Sequence, residues 1–301
     1  MQIFYTDHFV LPIPNGHRFP MQKYRLLREH VQQADWLQGH TLVEPPAAEV
    51  TQLLRAHHHT YVTQIMQGAL SAAEVRRIGF PWSPQMVERS RRAAGATLAA
   101  AHQSLCDGVA ISLAGGTHHA CVGHGEGYCV FNDSAVAALE LHALGLVKRV
   151  LVVDLDVHQG NGTADIMRPH EWCYTFSMHG AKNYPFRKVA SDCDIDLPDG
   201  TTDDEYLTTL ATALDYVFHM ARPDLVLYVS GADPYEDDSL GRLKLTKPGL
   251  ATRDAMVAQM IRSFGVPCVV TMAGGYANDI NDSVAIHANT VRTFVKMNVT
   301  P

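Results

Sequence analysis

The sequence contains no C-x-x-C pair, although six cysteines stand at positions 106, 121, 129, 173, 193 and 268. In a chain of 301 residues, thiols scattered in this way do not read as a disulfide framework. They predict reduced, buried cysteines, which favour a cytoplasmic location. Basic residues are also scarce. There are 24 Lys and Arg against 31 Asp and Glu, a formal charge of −7. A nucleic-acid binder ordinarily carries the opposite balance, because it must displace counterions from phosphates, so no direct nucleic-acid partner is expected. No uncharged apolar run reaches the roughly 18 residues of a membrane span. The opening MQIFYTDHFVLPIPNG has no basic start followed by an apolar stretch, so neither a span nor a signal peptide is expected. Internal repeats, low-complexity tracts and long Gly/Ser/Pro linkers are missing too, which predicts a single domain over 1–301. Only 18% of residues are charged and 47% are hydrophobic, which excludes extensive disorder and leaves material for a large core.

What remains is a regular alternation. Short apolar runs, VAISLA (109–114), RVLVVDLD (149–156), WCYTFSM (172–178), DLVLYVSG (224–231) and CVVTMAG (268–274), read as strands covered on both faces. Helical patterns lie between and after them, near 84–105, 132–145, 203–220, 249–264 and 279–297. Ser83 followed by Gln85 and Glu88, and the acidic Asp203-Asp204-Glu205, supply helix-start chemistry. Amphipathic segments near 21–33 and 47–67 are expected around the rim. The alternation predicts βαβ crossovers and an α/β fold with a central, mainly parallel sheet flanked by helices. Ligands of such sheets bind beyond the carboxyl ends of the strands.

Polar residues concentrate at those ends, and 17 histidines make the chain rich in candidate metal or acid–base groups. VLVVDLDVH finishes in Asp154, Asp156 and His158, which lie two residues apart and so project to one side of an extended strand. Asp156 and His158 offer one oxygen and one nitrogen to a divalent metal, although D-x-D by itself also caps helices. DLVLYVSG runs into Asp233 at the same rim, where a turn or N-cap role is the plainer reading of that residue alone. Together, two Asp and one His would hold Zn2+ and leave a position open for water and substrate, whereas a closed structural site supplies four ligands. Fe2+ or Co2+ would also suit these donors. Gly115-Gly116-Thr117-His118-His119 follows the first of these strands, and Ala273-Gly274-Gly275-Tyr276 follows the last. The first can bring two imidazoles to the site. The second can bring a phenol that donates to an oxyanion. The separate run His57-His58-His59 lies in a helical, polar context and reads as structural or solvent-facing.

The ordered set GGTHHA (115–120), GYCVFND (127–133), VDLDVHQGNGT (153–163), SGADPYEDDSLGRL (230–243) and AGGYA (273–277) resembles the zinc-dependent histone deacetylases of the arginase/deacetylase fold. The resemblance covers about residues 1–297. HQGN, DPYEDDSLGRL and PFRKVASDCDIDLPDGTTDDEYL (185–207) look most like the class IV branch and its bacterial relatives. The resemblance implies Asp156, His158 and Asp233 as zinc ligands, and His118 and His119 as the tandem histidines beside the reacting water. It implies Tyr276 as the residue that polarises the substrate carbonyl, with Asp154 orienting the first histidine. Gly127, Tyr128, Tyr184 and Leu240 match the acyl-lysine tunnel, with Gly274 and Gly275 alongside. A K+ or Na+ site is implied at Asp154, Asp156, His158, Ser177 and Met178.

Two positions depart from the family pattern. Asn161 stands where many relatives carry Asp behind the second histidine, and an amide stabilises an imidazolium less than a carboxylate does. Tyr128 replaces the commoner Phe. The reaction implied is hydrolysis of an N-acyl amide, with Nε-acetyl-lysine or a longer acyl-lysine of a protein or peptide as substrate. His119 would act as general base and His118 would supply charge or orientation. An acylpolyamine or other small N-acyl amine is the alternative substrate. An arginase-like ureohydrolase would need a second metal, and a silent acyl-lysine binder would not need a proton-transfer pair. Sequence alone sets no oligomeric state.

Overall fold

The computed structural model describes residues 1–14 and 16–298. Its strands are β1 (Gln2–Phe4), β2 (Thr41–Val43), β3 (Val109–Ser112), β4 (Val150–Asp154), β5 (Cys173–Gly180), β6 (Cys193–Leu197), β7 (Leu225–Ser230) and β8 (Cys268–Met272). They form one sheet in the order β2-β1-β3-β8-β7-β4-β5-β6. Every neighbouring pair is parallel, so the sheet is wholly rather than mainly parallel. Alternate side chains of β4 feed opposite layers. Val150 and Val152 join the core on one face, and Leu151 and Val153 join the core on the other. That two-sided burial is why the interior strands are continuous apolar runs.

The helices are α1 (Gln22–Gln32), α2 (Val50–Ala56), α3 (His59–Gln67), α4 (Ala72–Ile78), α5 (Pro84–Asp107), α6 (Asp133–Ala143), α7 (Asn161–Met167), α8 (Asp203–Ala221), α9 (Lys247–Phe264) and α10 (Ile280–Asn298). Residues of α2, α3, α5 and α6 pack on one face of the sheet, and residues of α8, α9 and α10 pack on the other. Their starts follow ordinary capping chemistry. Ser83 accepts from the Met86 amide at 3.0 Å with Pro84 at the first helical position, and Thr202 pairs reciprocally with Glu205. Among the described residues, no helix is long and apolar enough to cross a membrane.

The structure corrects the sequence reading in several places. The amphipathic stretch 47–67 is two helices, because His57 and His58 are extended. His57 is buried there, donating from Nδ1 to the Cys121 carbonyl at 2.9 Å and accepting the Asn132 amide at Nε2 at 2.9 Å. Burial pushes its pKa down to about 4, as expected of a neutral structural histidine. His58 accepts from the Thr60 amide as the cap of α3, and His59 is exposed. The strands β1, β2 and β6 and the seven-residue helices α4 and α7 were not expected.

Strand order places the site. From β3 the chain crosses to β4, builds outward to β5 and β6, then returns to lay β7 and β8 in the gap. The carboxyl ends of β3, β8, β7 and β4 therefore stand side by side, and the loops that leave them share one crevice.

Candidate active site

The crevice is a cavity of about 430 Å³. At its floor, His158 Nδ1 lies 2.9 Å from Asp156 Oδ1 and 3.2 Å from Asp233 Oδ2. The adjacency of β4 and β7 brings the two carboxylates together, and backbone amides hold the oxygens that do not face the ring. Gly274 donates to Asp156 Oδ2 at 2.8 Å, and Val157 donates to Asp233 Oδ1 at 2.9 Å. A side chain at 274 would destroy this packing, since a Cβ there would fall 1.8 Å from Asp233 Oδ2.

The remaining donors face one another within 4.8 Å, all buried. Asp233 Oδ2 accepts no hydrogen bond. Burial and the Asp156 carboxylate push Asp233 up to about 7, which marks a point where positive charge is needed. Two carboxylate oxygens and one imidazole nitrogen, one of them buried without a donor, suit a divalent cation. Cys121, His124 and Glu126 form a second group of potential ligands.

Arg253, on α9, ties the two strand ends from below. Its guanidinium is fully buried and donates to the Leu155 carbonyl at 3.3 Å, the Gly231 carbonyl at 2.6 Å and Ser230 Oγ at 3.0 Å, and Nε donates to Asp254 at 2.9 Å. Sequence reasoning missed it. The available signal was a charged residue on the apolar stripe that Leu250 and Val257 define.

The tandem histidines arrive on a loop shaped by glycine. Gly115 and Gly116 both have positive φ, and the Asp133 carboxylate gathers the Gly116 amide at 3.0 Å and the Thr117 amide at 2.7 Å. His118 Nδ1 then sits 2.7 Å from Asp154 Oδ2, and His119 Nδ1 sits 2.6 Å from Asn161 Oδ1. The two rings are driven apart electrostatically. Burial disfavours the charged form of each. For His118 the carboxylates of Asp154 and Asp156 outweigh burial and raise it to about 9. For His119, burial and the neighbouring His118 and His158 hold it well below the usual imidazole range. Asn161 in turn donates to Glu126 Oε1 at 2.7 Å.

Tyr276 enters on the loop after β8. Its amide donates to Asp238 Oδ2 at 2.6 Å, while Asp238 Oδ1 accepts the Leu240 and Gly241 amides at 2.8 Å each. Asp238, also missed although it lies in the DPYEDDSLGRL run, therefore pins two walls of the cleft to each other. Burial raises the Tyr276 phenol well above its ordinary value, keeping it a proton donor.

The walls carry Gly127, Tyr128, Tyr184 and Leu240, and Gly274 reaches the cavity too. The Tyr184 ring stands edge-on to His119 at 4.9 Å, and Tyr128 lies 6.2 Å from Tyr276. Gly275 does not line the cavity. It packs beside Ala232, His287 and Lys23. Ser177 pairs with Asp154 across β4 and β5 and receives the Gly160 amide at 3.4 Å. The Met178 side chain lies in the apolar core, so only its backbone is left to serve an ion.

A family model described as the histone deacetylase domain matches residues 17–291. The chain belongs to the histone deacetylase family. Histone deacetylase 2 of Arabidopsis thaliana is 31% identical over 292 residues, covering 92% of this chain and 75% of that protein. An uncharacterized protein of Picosynechococcus is 41% identical over 286 residues, 95% of each chain. The arginase/deacetylase fold is shared with solved structures. The HDA15 HD domain superposes with a TM-score of 0.81 at 20% identity, covering all of this chain and 91% of that one. A histone deacetylase homolog complexed with SAHA gives 0.82 at 22%, covering all of this chain and 84% of that one. Family membership supports a deacetylase-type amide hydrolase.

Proposed function

We propose that this chain is a zinc-dependent hydrolase that removes acetyl or longer acyl groups from the Nε of lysine, most like the class IV branch. In this reading it is one catalytic domain acting in the cytoplasm. The observation that carries the proposal is the meeting of three buried donors suited to a divalent ion, Asp156, His158 and Asp233, with two neighbouring imidazoles, one tied at Nδ1 to the Asp154 carboxylate and raised in pKa, the other tied to the Asn161 amide and lowered. Such separation of neighbouring groups assigns acid and base roles.

Asp156, His158 and Asp233 would hold the metal, Zn2+ in the first instance, with Fe2+ or Co2+ also suited to the donors. A divalent ion supplies Lewis acidity towards a carbonyl and lowers the pKa of water. The protein's own groups do the rest. His119, neutral and tied at Nδ1, has Nε2 left to take a proton from the attacking water and later to return it to the departing amine. His118, held cationic by Asp154, stabilises the negative charge that develops. The Tyr276 phenol donates to the oxygen that becomes the oxyanion. Gly127 with Tyr128, Tyr184 and Leu240 leaves a narrow, aromatic-lined passage for an unbranched chain. Asp154, Asp156, His158, Ser177 and Met178 would hold K+ or Na+ beneath the floor. The test is turnover by zinc-loaded protein on acetyl-lysine peptides, longer acyl-lysine peptides and acetylspermidine. Release from lysine peptides is expected. Exclusive turnover of acetylspermidine would transfer the reading to small N-acyl amines, and binding without product would make the chain a silent acyl-lysine binder.

A further inference from the structure

Behind His119 the hydrogen-bond chain does not end at Asn161. Asn161 Oδ1 faces His119 Nδ1 at 2.6 Å, and Asn161 Nδ2 faces Glu126 Oε1 at 2.7 Å. An amide can be turned end for end, and the ring alone does not decide which end it meets. The carboxylate does decide, because it has only acceptors to offer. Glu126 must receive the NH2, so the Asn161 carbonyl must face the ring, and His119 Nδ1 must then carry the hydrogen. The other ring nitrogen, Nε2, is left with its lone pair free.

We propose that Glu126 is a positioning residue that, through Asn161, sets which nitrogen of His119 carries the proton. This rests on the reading of His119 as the general base. Many members of the family place a carboxylate directly behind this histidine. Here the negative charge stands one group further back, and the amide transmits orientation without placing charge against the ring. The Glu126 side chain is largely buried, and its neighbours fit the role. Burial works against its ionised form, but His124, whose Nε2 lies 3.6 Å away, the Asn161 amide at 2.7 Å and the neighbouring Tyr184 phenol outweigh that and lower its pKa. Its backbone is fixed as well, pairing with Cys129, whose amide donates to the Glu126 carbonyl at 2.8 Å.

The device makes a prediction about sign. With Asn at 161, the charge at 126 is needed. With Asp at 161, the same charge would sit against a second carboxylate and disrupt the pair. The experiment compares four zinc-loaded full-length proteins: wild type, Glu126→Gln, Asn161→Asp and the double variant. Steady-state kinetics on an acetyl-lysine reporter are read beside nitrogen NMR of histidine-labelled protein, which reports the His119 tautomer directly. Glu126→Gln should lower kcat about 10–100-fold, the range typical when the partner orienting a site imidazole is lost, with KM unchanged. His119 should pass from the Nδ1–H form to a mixture of tautomers. Asn161→Asp alone should also lower kcat, and adding Glu126→Gln to it should restore most of the loss. If Glu126→Gln acts in the same direction in both backgrounds, or leaves the His119 tautomer unchanged, the proposal is overturned. If wild type hydrolyses no acyl amide yet the tautomer responds to Glu126→Gln, the deacylase reading fails and the positioning role stands.

Discussion

On the proposed reading, replacing Gly274 by alanine should abolish metal binding by Asp156, His158 and Asp233 while leaving the fold intact. The new Cβ would lie 1.8 Å from Asp233 Oδ2 and 2.7 Å from Asp156 Oδ2, whereas real Cβ contacts essentially never fall below 3.0 Å. The Asp233 carboxylate, or the loop after β8, must therefore move by more than 1 Å. Metal ligands tolerate only about 0.2 Å of displacement, so the shift is several times what the cluster can absorb. The same movement strains the bond from the Gly274 amide that steadies Asp156. Loss of zinc affinity should exceed the roughly 10–100-fold typical of changes outside the ligand set. The overpacking itself costs about 1–3 kcal/mol of stability. The assay is calorimetric titration of chelator-stripped protein with zinc, alongside denaturant unfolding. Gly123→Ala serves as control, because that glycine is exposed and a Cβ there meets nothing within 4 Å. If Gly274→Ala binds zinc as tightly as the control and unfolds at the same midpoint, the described crowding of the floor is wrong.

Tyr276→Phe removes only the phenol hydroxyl and should cost about 100–1,000-fold in kcat with KM nearly unchanged, checked by steady-state kinetics on folded protein. Asn161→Asp should move the acid limb of kcat/KM to higher pH. With His119 as the proposed base, the active ring is the neutral one, activity falls as pH drops through its pKa, and a carboxylate partner raises a pKa now held low by burial and by His118 and His158. A pH–rate profile reads this directly. Arg253→Met leaves Asp254 without its buried cation and releases the carbonyls of Leu155 and Gly231, so it should cost about 3–5 kcal/mol in urea unfolding.

The parts of the fold legible in the sequence were those with a strong local signature. β3, β4, β7 and β8 are buried along their whole length and β5 along nearly all of it, and they read as mainly apolar runs because helices cover both faces. β1 and β2 are three residues each, too short to show a period, and the edge strand β6 alternates intermediate and exposed residues in CDIDL. The seven-residue α4 and α7 hold fewer than two full turns of pattern. The break between α2 and α3 depends on His57 finding Cys121 and Asn132, partners 64 and 75 residues away. The site divides in the same way. Residues at strand ends, such as Asp156, His158 and Asp233, announce themselves by spacing. Asp238 and Glu126 act through contacts between separate loops, and Arg253 reaches the strand ends from α9, marked in the sequence only as a charge on an apolar helix stripe.

The cleft is assembled from two kinds of chain. Its base belongs to strand termini locked by the buried Arg253 guanidinium, while its sides come from separate connections carrying Tyr128, Tyr184 and Leu240. Inhibitors inherit that partition. On the proposed reading, a chelating head group would grip only the strand termini of the base. Selectivity has to be won by a linker or cap that reads the sides, where a single residue exchange alters the fit without disturbing the base.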